Sequence, residues 1–430
     1  MRIGFYGGIA NNMYVFAKAF KRHGHDVLFI RDRGGLFGFS QPLWDDVRYT
    51  LEYGELAQSY QWSWEEWAVR ERQLQWRAPD WLADPFDIQS TAPLIVRTPF
   101  SGVDTALLRR IALGQRHWRA VVDLMQRCDV LLVCGIEGEL LALASSRPFA
   151  IWTHGGDLRT AAGFHPPQSR RWPEWRHYLM QQRLLRLAFK RALFVGSYDP
   201  LGFGGHVGRI PRRFKIVQCP IPVQVAPRLP KAQRRFLLAE VMQGVGQAAP
   251  AADYVLFVPS RVDFYWKGMD RLLRALSRVE NAASLHVIVS GWGRDYESAR
   301  RMVSREMVTF LPCALSRPVL HDFFRAVDLV ADQFLLGTYG TGAVEAMGVG
   351  TPVMMWFDDE PLLARGWEPP PVLNARTEVE IAGVLSDVIA GRMDLDERAH
   401  QIHEWVARVH GEDVVVPALA ERFRRALGVS

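Results

Sequence analysis

The sequence predicts an α/β protein built from two parallel-sheet domains in tandem, each with helices packed on its sheet faces. Three observations carry this. The chain has 430 residues, more than one ordinary core organises. Strand-like and helix-like patterns alternate along nearly all of it. The alternation halts once, over 219–253, where Cys219-Pro-Ile-Pro-Val is followed by Pro227, Pro230 and Pro250, and then it restarts. The expected division is 1–222 and 223–411, and a C-terminal helix 412–430 is a candidate to pack back on the first domain.

In the first domain apolar runs at 2–6, 26–30, 129–134, 149–153, 192–196 and 214–218 read as strands. Helical patterns occupy 11–22, 105–127 and 174–191. The first strand runs into Gly4-Phe-Tyr-Gly7-Gly8-Ile-Ala-Asn11-Asn12, a strand–glycine loop–helix unit that can meet a phosphate or an acceptor. It lacks the full G-x-G-x-x-G spacing, so it is a poor nicotinamide or flavin site. Residues 55–87 hold Trp62, Trp64, Trp67, Trp76 and Trp81 and read as an insertion with its indoles packed inward; exposed, it would be an interfacial or carbohydrate-contacting surface. The run Phe149-Ala-Ile-Trp-Thr-His154-Gly155-Gly156-Asp157 puts a histidine just past a strand, where ligands of parallel sheets bind. Asp157 is a candidate helix cap.

The second domain reads as strand 254–259, helix 267–279, strand 285–290, helix 295–305, strand 308–311, helix 318–326 and strand 328–331, with another strand from Pro352. Its first strand ends in Val258-Pro-Ser-Arg261, and Lys267 opens the helix after it. A guanidinium fork and an ammonium on one loop can neutralise a diphosphate. Gly291-Trp-Gly293 is a tight turn after the next strand, where a ligand can approach the backbone. The most informative stretch follows residue 331. Gly337, Tyr339, Gly340, Thr341 and Gly342 form a glycine loop that runs into a short helix carrying Glu345. Such a helix start presents free N–H groups and a positive dipole end, which suits phosphate. Glu345, one turn in, can reach a sugar hydroxyl.

The net charge of +6 is uneven: residues 151–235 carry 16 Lys and Arg against 3 Asp and Glu. Anionic lipid, a phosphorylated substrate or nucleic acid would suit that segment. A solvated helix face plus a basic linker would give the same count, and no nucleic-acid motif accompanies it. Within it, 168–191 is a basic helix with indoles near its start, expected to pack Leu179, Leu184, Leu187 and Phe189 onto the sheet and to leave Arg176, Arg183, Arg186 and Lys190 outside. The four cysteines form no C-x-x-C pair and read as buried thiols. No His/Cys cluster has metal-ligand spacing, and Asp358-Asp359 reads as a turn or cap, so no metal is assigned. No secretory leader and no membrane-spanning run is read, so the expected location is cytoplasmic or membrane-peripheral.

Together these motifs resemble the retaining GT-B-fold glycosyltransferases that use nucleotide-sugar donors. The most specific part is Ala343-Val-Glu-Ala-Met-Gly-Val-Gly-Thr-Pro-Val353, which is similar to the family's second donor-site glutamate and its small-residue turn. The resemblance implies two Rossmann-like domains facing across a cleft. It also implies metal-independent transfer of a sugar, with retention, from a UDP- or GDP-sugar to an acceptor hydroxyl. In that family Glu345 would bind the ribose, Arg261 and Lys267 would hold the diphosphate, and His154 would contact the sugar near the reacting carbon. Gly291, Gly293, Tyr339, Gly340, Thr341 and Gly342 would complete the donor site, with Gly7, Gly8 and Asp157 on the acceptor side. The family's other glutamate lies eight residues earlier, and here that position is Gly337. Asp332 or Gln333, just upstream, is placed to substitute. The other reading is a non-catalytic nucleotide-sugar-binding or scaffold protein of this fold. The acceptor is unnamed, with a lipid-linked or anionic one suiting the basic segment.

Overall fold

The computed structural model describes residues 1–32, 40–52, 64–113, 115–153, 157, 160–161, 172–198, 216–304 and 306–428. In chain order the strands are β1 (Arg2–Tyr6), β2 (Asp26–Ile30), β3 (Thr50–Glu52), β4 (Leu82–Ala83), β5 (Val130–Val133), β6 (Phe149–Trp152), β7 (Val195–Ser197) and β8 (Ile216–Gln218). They continue as β9 (Tyr254–Val258), β10 (Leu285–Val289), β11 (Val308–Phe310), β12 (Cys313–Leu315), β13 (Leu329–Ala331), β14 (Val353–Met355) and β15 (Leu373–Asn374). The chain divides into two units. One comprises Met1–Pro42, Ser63–Pro222 and Val415–Ser430; the other, Leu43–Trp62 and Val223–Val414.

The first unit holds a seven-stranded sheet in the order β4-β2-β1-β5-β6-β7-β8, parallel throughout. Chain order reverses between β1 and β5, which makes their carboxyl ends a crevice of the kind that binds ligands. The 105–127 pattern is two helices, Ser101–Ile111 and Trp118–Gln126. A further helix, Gly135–Ser145, is buried along nearly its whole length. Its two glutamates, Glu137 and Glu139, sit two apart among small and apolar residues, so no amphipathic period marks it. Two indoles of the tryptophan-rich stretch pack inward: Trp67 is fully buried, and Trp81 stacks on Tyr14 at 5.4 Å. Trp62 lies outside the described residues. The last helix, Glu412–Leu427, brings Phe423 against Phe194, with ring centroids 5.6 Å apart.

The second unit has a six-stranded sheet, β11-β10-β9-β13-β14-β15, again parallel throughout. Its central strand Tyr-Val-Leu-Phe-Val is nearly continuous in apolar residues because both faces are covered. Leu256 and Val258 pack in one core with Leu272 and Leu385, and Phe257 stacks on Phe323 at 4.9 Å on the other face. The order reverses between β9 and β13, so the second crevice lies at Pro259–Arg261 and Asp332–Gln333.

Two parts of this unit differ from the sequence expectation. The connector holds a helix, Lys231–Gly244. Pro230 stands just ahead of its first turn, a place where proline starts helices, and the residues after it are good helix formers. Arg234 and Arg235 each bond the buried Asp328 carboxylate, at 3.0 and 2.8 Å, and Asp328 also accepts the Val255 N–H at 2.8 Å. Residues 43–62, expected in the first domain, group with the second unit because β3 pairs antiparallel with β12.

Candidate functional site

The sheet of the second unit delivers its functional side chains from the two strands at the reversal. Past β9, the loop carries Arg261, whose Nε lies 3.5 Å from Asp263 Oδ2. Asp263 also accepts from Arg294 at 3.0 Å and from the Trp266 N–H at 2.7 Å, so it organises the loop. Lys267 follows on the same loop. Its carbonyl accepts the Phe334 N–H at 2.8 Å, which ties the loop to the segment after β13. Its ammonium lies 3.1 Å from Asp332 Oδ1.

The helix Thr341–Gly348 begins beside this point, with Gly340 as its leading residue. The Gly340 N–H points at Asp332 Oδ2, 3.4 Å away. A methyl group built on Gly340 would sit 3.4 Å from that oxygen and 3.9 Å from Lys267 Nζ. Ammonium, helix-start amide and carboxylate therefore converge within one small volume. Thr341 and Gly342 are half-buried at the same helix start. Tyr339 points elsewhere. Its ring stacks on Phe357 at 5.6 Å, and its hydroxyl lies 3.3 Å from His410 Nε2, so only its backbone faces the loop.

Gly291 and Gly293 are required by close packing. A Cβ on Gly291 would lie 2.2 Å from the Leu311 carbonyl oxygen, and one on Gly293 (φ +127°) 2.3 Å from Val262 N. These glycines let the β10 loop pass between its neighbours. Gly337 has φ +66°, and a Cβ there would meet the Trp356 ring at 3.0 Å. A larger residue here would need a left-handed backbone and a shift of the Trp356 ring.

Glu345 is nearly buried, with a cationic or imidazole group near each oxygen. Arg317 Nη1 lies 2.7 Å from its Oε1, and His321 Nε2 lies 3.4 Å from its Oε2. Arg317 Nε also pairs with the buried Asp45 at 3.0 Å. Burial acts to raise the Glu345 pKa, but the Arg317 charge and the His321 contact outweigh it, and the net shift is downward. Burial likewise acts to lower the Arg317 pKa, while Asp45 and Glu345 raise it overall. The carboxylate is thus held ionised and fixed in rotamer. Sequence reasoning missed Arg317, His321 and Asp45; the last is 272 positions from Arg317, and no local pattern signals the pairing.

In the first unit Gly7 (φ +136°) lies at the β1–β5 reversal, where a Cβ would sit 2.4 Å from the Cys134 carbonyl oxygen. The Gly8 N–H donates to Asp32 at 2.9 Å. Asp157 is fully buried and accepts from the Thr153 hydroxyl at 2.6 Å. Beside it Glu139, on the Gly135–Ser145 helix, is pushed well above the usual carboxylate range by burial first and Asp157 second. Tyr6 hydrogen-bonds Glu137. His154, Gly155 and Gly156 lie outside the described residues. All four cysteines are buried and free. Burial pushes Cys128 to about 11 and Cys219 to about 12, so these thiols stay protonated. Among the described residues no His, Cys, Asp and Glu cluster is arranged to hold a metal ion.

No family model matches the sequence, and no curated protein matches it. Solved structures do match. The Anabaena protein HepE, solved in complex with UDP and glucose, has 16% identity and a TM-score of 0.61, covering 99% of this chain and 100% of that one. Sucrose-phosphate synthase from Thermosynechococcus elongatus has 12% identity and a TM-score of 0.60, with 100% of each chain covered. The chain therefore has the fold of the GT-B class, with one parallel α/β sheet in each of its two domains.

Proposed function

We propose that the chain is a glycosyltransferase that moves a sugar from a UDP-linked donor to an acceptor hydroxyl. The observation that carries this is the convergence of Lys267 and the Gly340 N–H at a helix start, with the ionised Glu345 inside that helix. A diphosphate matches the first pair, and a ribose diol can donate to the carboxylate. HepE, which shares the fold, was solved with UDP-glucose, which supports uracil as the base.

Arg261 and Lys267 would carry the charge of the leaving diphosphate, so the transfer would need no metal. We assign retention to a same-face displacement: the bond from anomeric carbon to phosphate breaks, the acceptor oxygen bonds that carbon, and its proton passes to the leaving phosphate. His154 is assigned to the sugar. A concavity of about 480 Å³ in the first unit, lined by Ile136, Thr160, His177, Tyr178 and Gln181 among others, is our candidate acceptor pocket.

The test is calorimetry with UDP and UDP-glucose on wild type and on Arg261→Ala, Lys267→Ala and Glu345→Ala. Each lost charge-assisted contact is worth about 1.5–3 kcal/mol, roughly a ten- to hundredfold weaker Kd. Unchanged affinity in all three variants removes the assignment. Turnover of UDP-glucose by wild type, lost in His154→Ala, separates an enzyme from a binding protein.

A second reading concerns the acceptor's surroundings. On the helix Trp172–Arg191, Trp172 (68% exposed) and Leu179 (46%) share a stripe with the exposed Arg176, Arg183 and Lys190. The expected inward packing of Leu179 does not occur; Leu184, Leu185 and Phe189 fill the core face instead. Arg183 lies over the exposed ring of Phe100, 5.8 Å from its centroid. No described helix is long and apolar enough to cross a membrane. Apolar tips among cations suit an anionic lipid surface, each cation adding roughly 1 kcal/mol. Co-sedimentation with phosphatidylserine vesicles but not neutral ones is expected; equal binding to both removes this reading.

A further inference from the structure

The cradle assigned to the diphosphate already holds an anion, the chain's own Asp332. Its side chain is only 5% exposed, so the carboxylate has lost most of its water. What compensates is the Lys267 ammonium at 3.1 Å and the Gly340 N–H at 3.4 Å. Those are the groups an incoming phosphate needs. The Asp332 backbone is pinned, since its carbonyl accepts the Ser260 hydroxyl at 3.1 Å and its N–H donates to Met354. The carboxylate is therefore held at the helix start by the end of β13. Beside it Gln333 is almost fully buried, and its Oε1 has no hydrogen-bond partner. The strand end thus places the Asp332 carboxylate opposite the Lys267 ammonium and the Gly340 N–H of the facing loop and helix.

We propose that Asp332 is a built-in competitor of the diphosphate. It holds Lys267 and the Gly340 N–H when the cradle is empty and gives them up when a nucleoside diphosphate binds. Two consequences follow from the charge alone. Binding must break an existing ion pair, and the bound diphosphate lies against a carboxylate of like sign. Affinity for the diphosphate product is held low, and the pair re-forms behind it as it leaves. This rests on the donor-site reading above and goes beyond it, because it gives Asp332 a role at the diphosphate in place of one at the sugar. A residue that merely aimed Lys267 at the phosphate would have the opposite effect when its charge is removed.

The test is calorimetric titration of UDP, inorganic pyrophosphate and uridine into wild type, Asp332→Asn and Asp332→Ser. Thermal melts certify that each variant is folded, and the serine variant serves if the asparagine one is not. Removing the carboxylate is expected to tighten UDP and pyrophosphate by about tenfold or more, from the scale of a single like-charge contact at this range. Uridine is expected to be unaffected, and the gain to shrink in the Lys267→Ala background, where only the Gly340 N–H is left to release. Unchanged or weaker UDP binding in a folded variant, with wild type binding UDP normally, overturns the proposal while leaving the donor site intact. Wild type that binds neither UDP nor pyrophosphate overturns both.

Discussion

Replacing Arg317 with methionine leaves two carboxylates, Asp45 and Glu345, buried without their common cation. Their side chains are 2% and 6% exposed. A charge pair at such separations, in an effective dielectric near 20, gains about 4–6 kcal/mol before desolvation is counted. Breaking a buried pair from one side typically costs about 3–5 kcal/mol, and with two stranded carboxylates the upper end is expected at neutral pH. The pH dependence follows from the sign of the shift. The folded-state pKa of Glu345 lies below its ordinary 4.5. Its contribution is therefore present above the unfolded value and lost as pH falls through the folded one. Without Arg317, both carboxyls become acids that burial favours in the protonated form, so the penalty shrinks on acidification. Urea unfolding at pH 7.5 and pH 5 measures both effects. A loss below about 1 kcal/mol at pH 7.5, or one that is the same at both pH values, would refute the view that Arg317 compensates these charges. Adding Asp45→Asn to the variant should recover part of the loss, since it removes one stranded charge.

Two further outcomes are expected. Gly291→Ala drives a methyl group to 2.2 Å from the Leu311 carbonyl oxygen, so backbone must move; a destabilisation of about 1–3 kcal/mol or more, read by thermal unfolding, should accompany a distorted β10 loop. Glu139→Gln should alter the pH profile of stability: the raised pKa of Glu139 means that the folded state keeps a proton that the unfolded chain gives up above 4.5. Wild type then loses up to about 1.4 kcal/mol per pH unit above that value, until the folded pKa is passed, and the glutamine variant does not; parallel profiles from pH 5 to 7 would remove the buried-acid assignment.

Much of the scaffold was legible because parallel strands buried on both faces write themselves as short apolar runs. The strands at 2–6, 26–30, 254–258 and 285–289 were of this kind. The glycine loop and Glu345 were legible because backbone amides at a helix start need small neighbours in a fixed order. Three things were hidden. The helix Gly135–Ser145 has its two glutamates two residues apart, a spacing that gives no helical period. The helix Lys231–Gly244 was masked by the prolines on either side of it. The partners of Glu345, Arg317 and His321, come from another helix, and Asp45, which shares Arg317, comes from the far end of the chain; contacts of that kind leave no trace in local sequence. Tyr339 was misjudged in a different way: its place in the glycine loop was readable, but the direction of its ring depends on Phe357, Trp405 and His410.

The division of the chain has a consequence in time. The Tyr49 N–H bonds to Ser316, 267 residues later, and β3 closes on β12 in the same region. At about 5–20 residues per second, roughly 13–53 s of synthesis separate the two partners. The first unit waits longer still, since Phe423 belongs to its packing against Phe194. Neither unit is a contiguous stretch, so neither can complete itself on the ribosome while the rest is being made. The early strands must spend that interval with their edges and apolar faces uncovered, which is the state chaperones engage. A fragment running from residue 223 onward would carry the same defect permanently, lacking both the β3 strand and the Asp45 carboxylate.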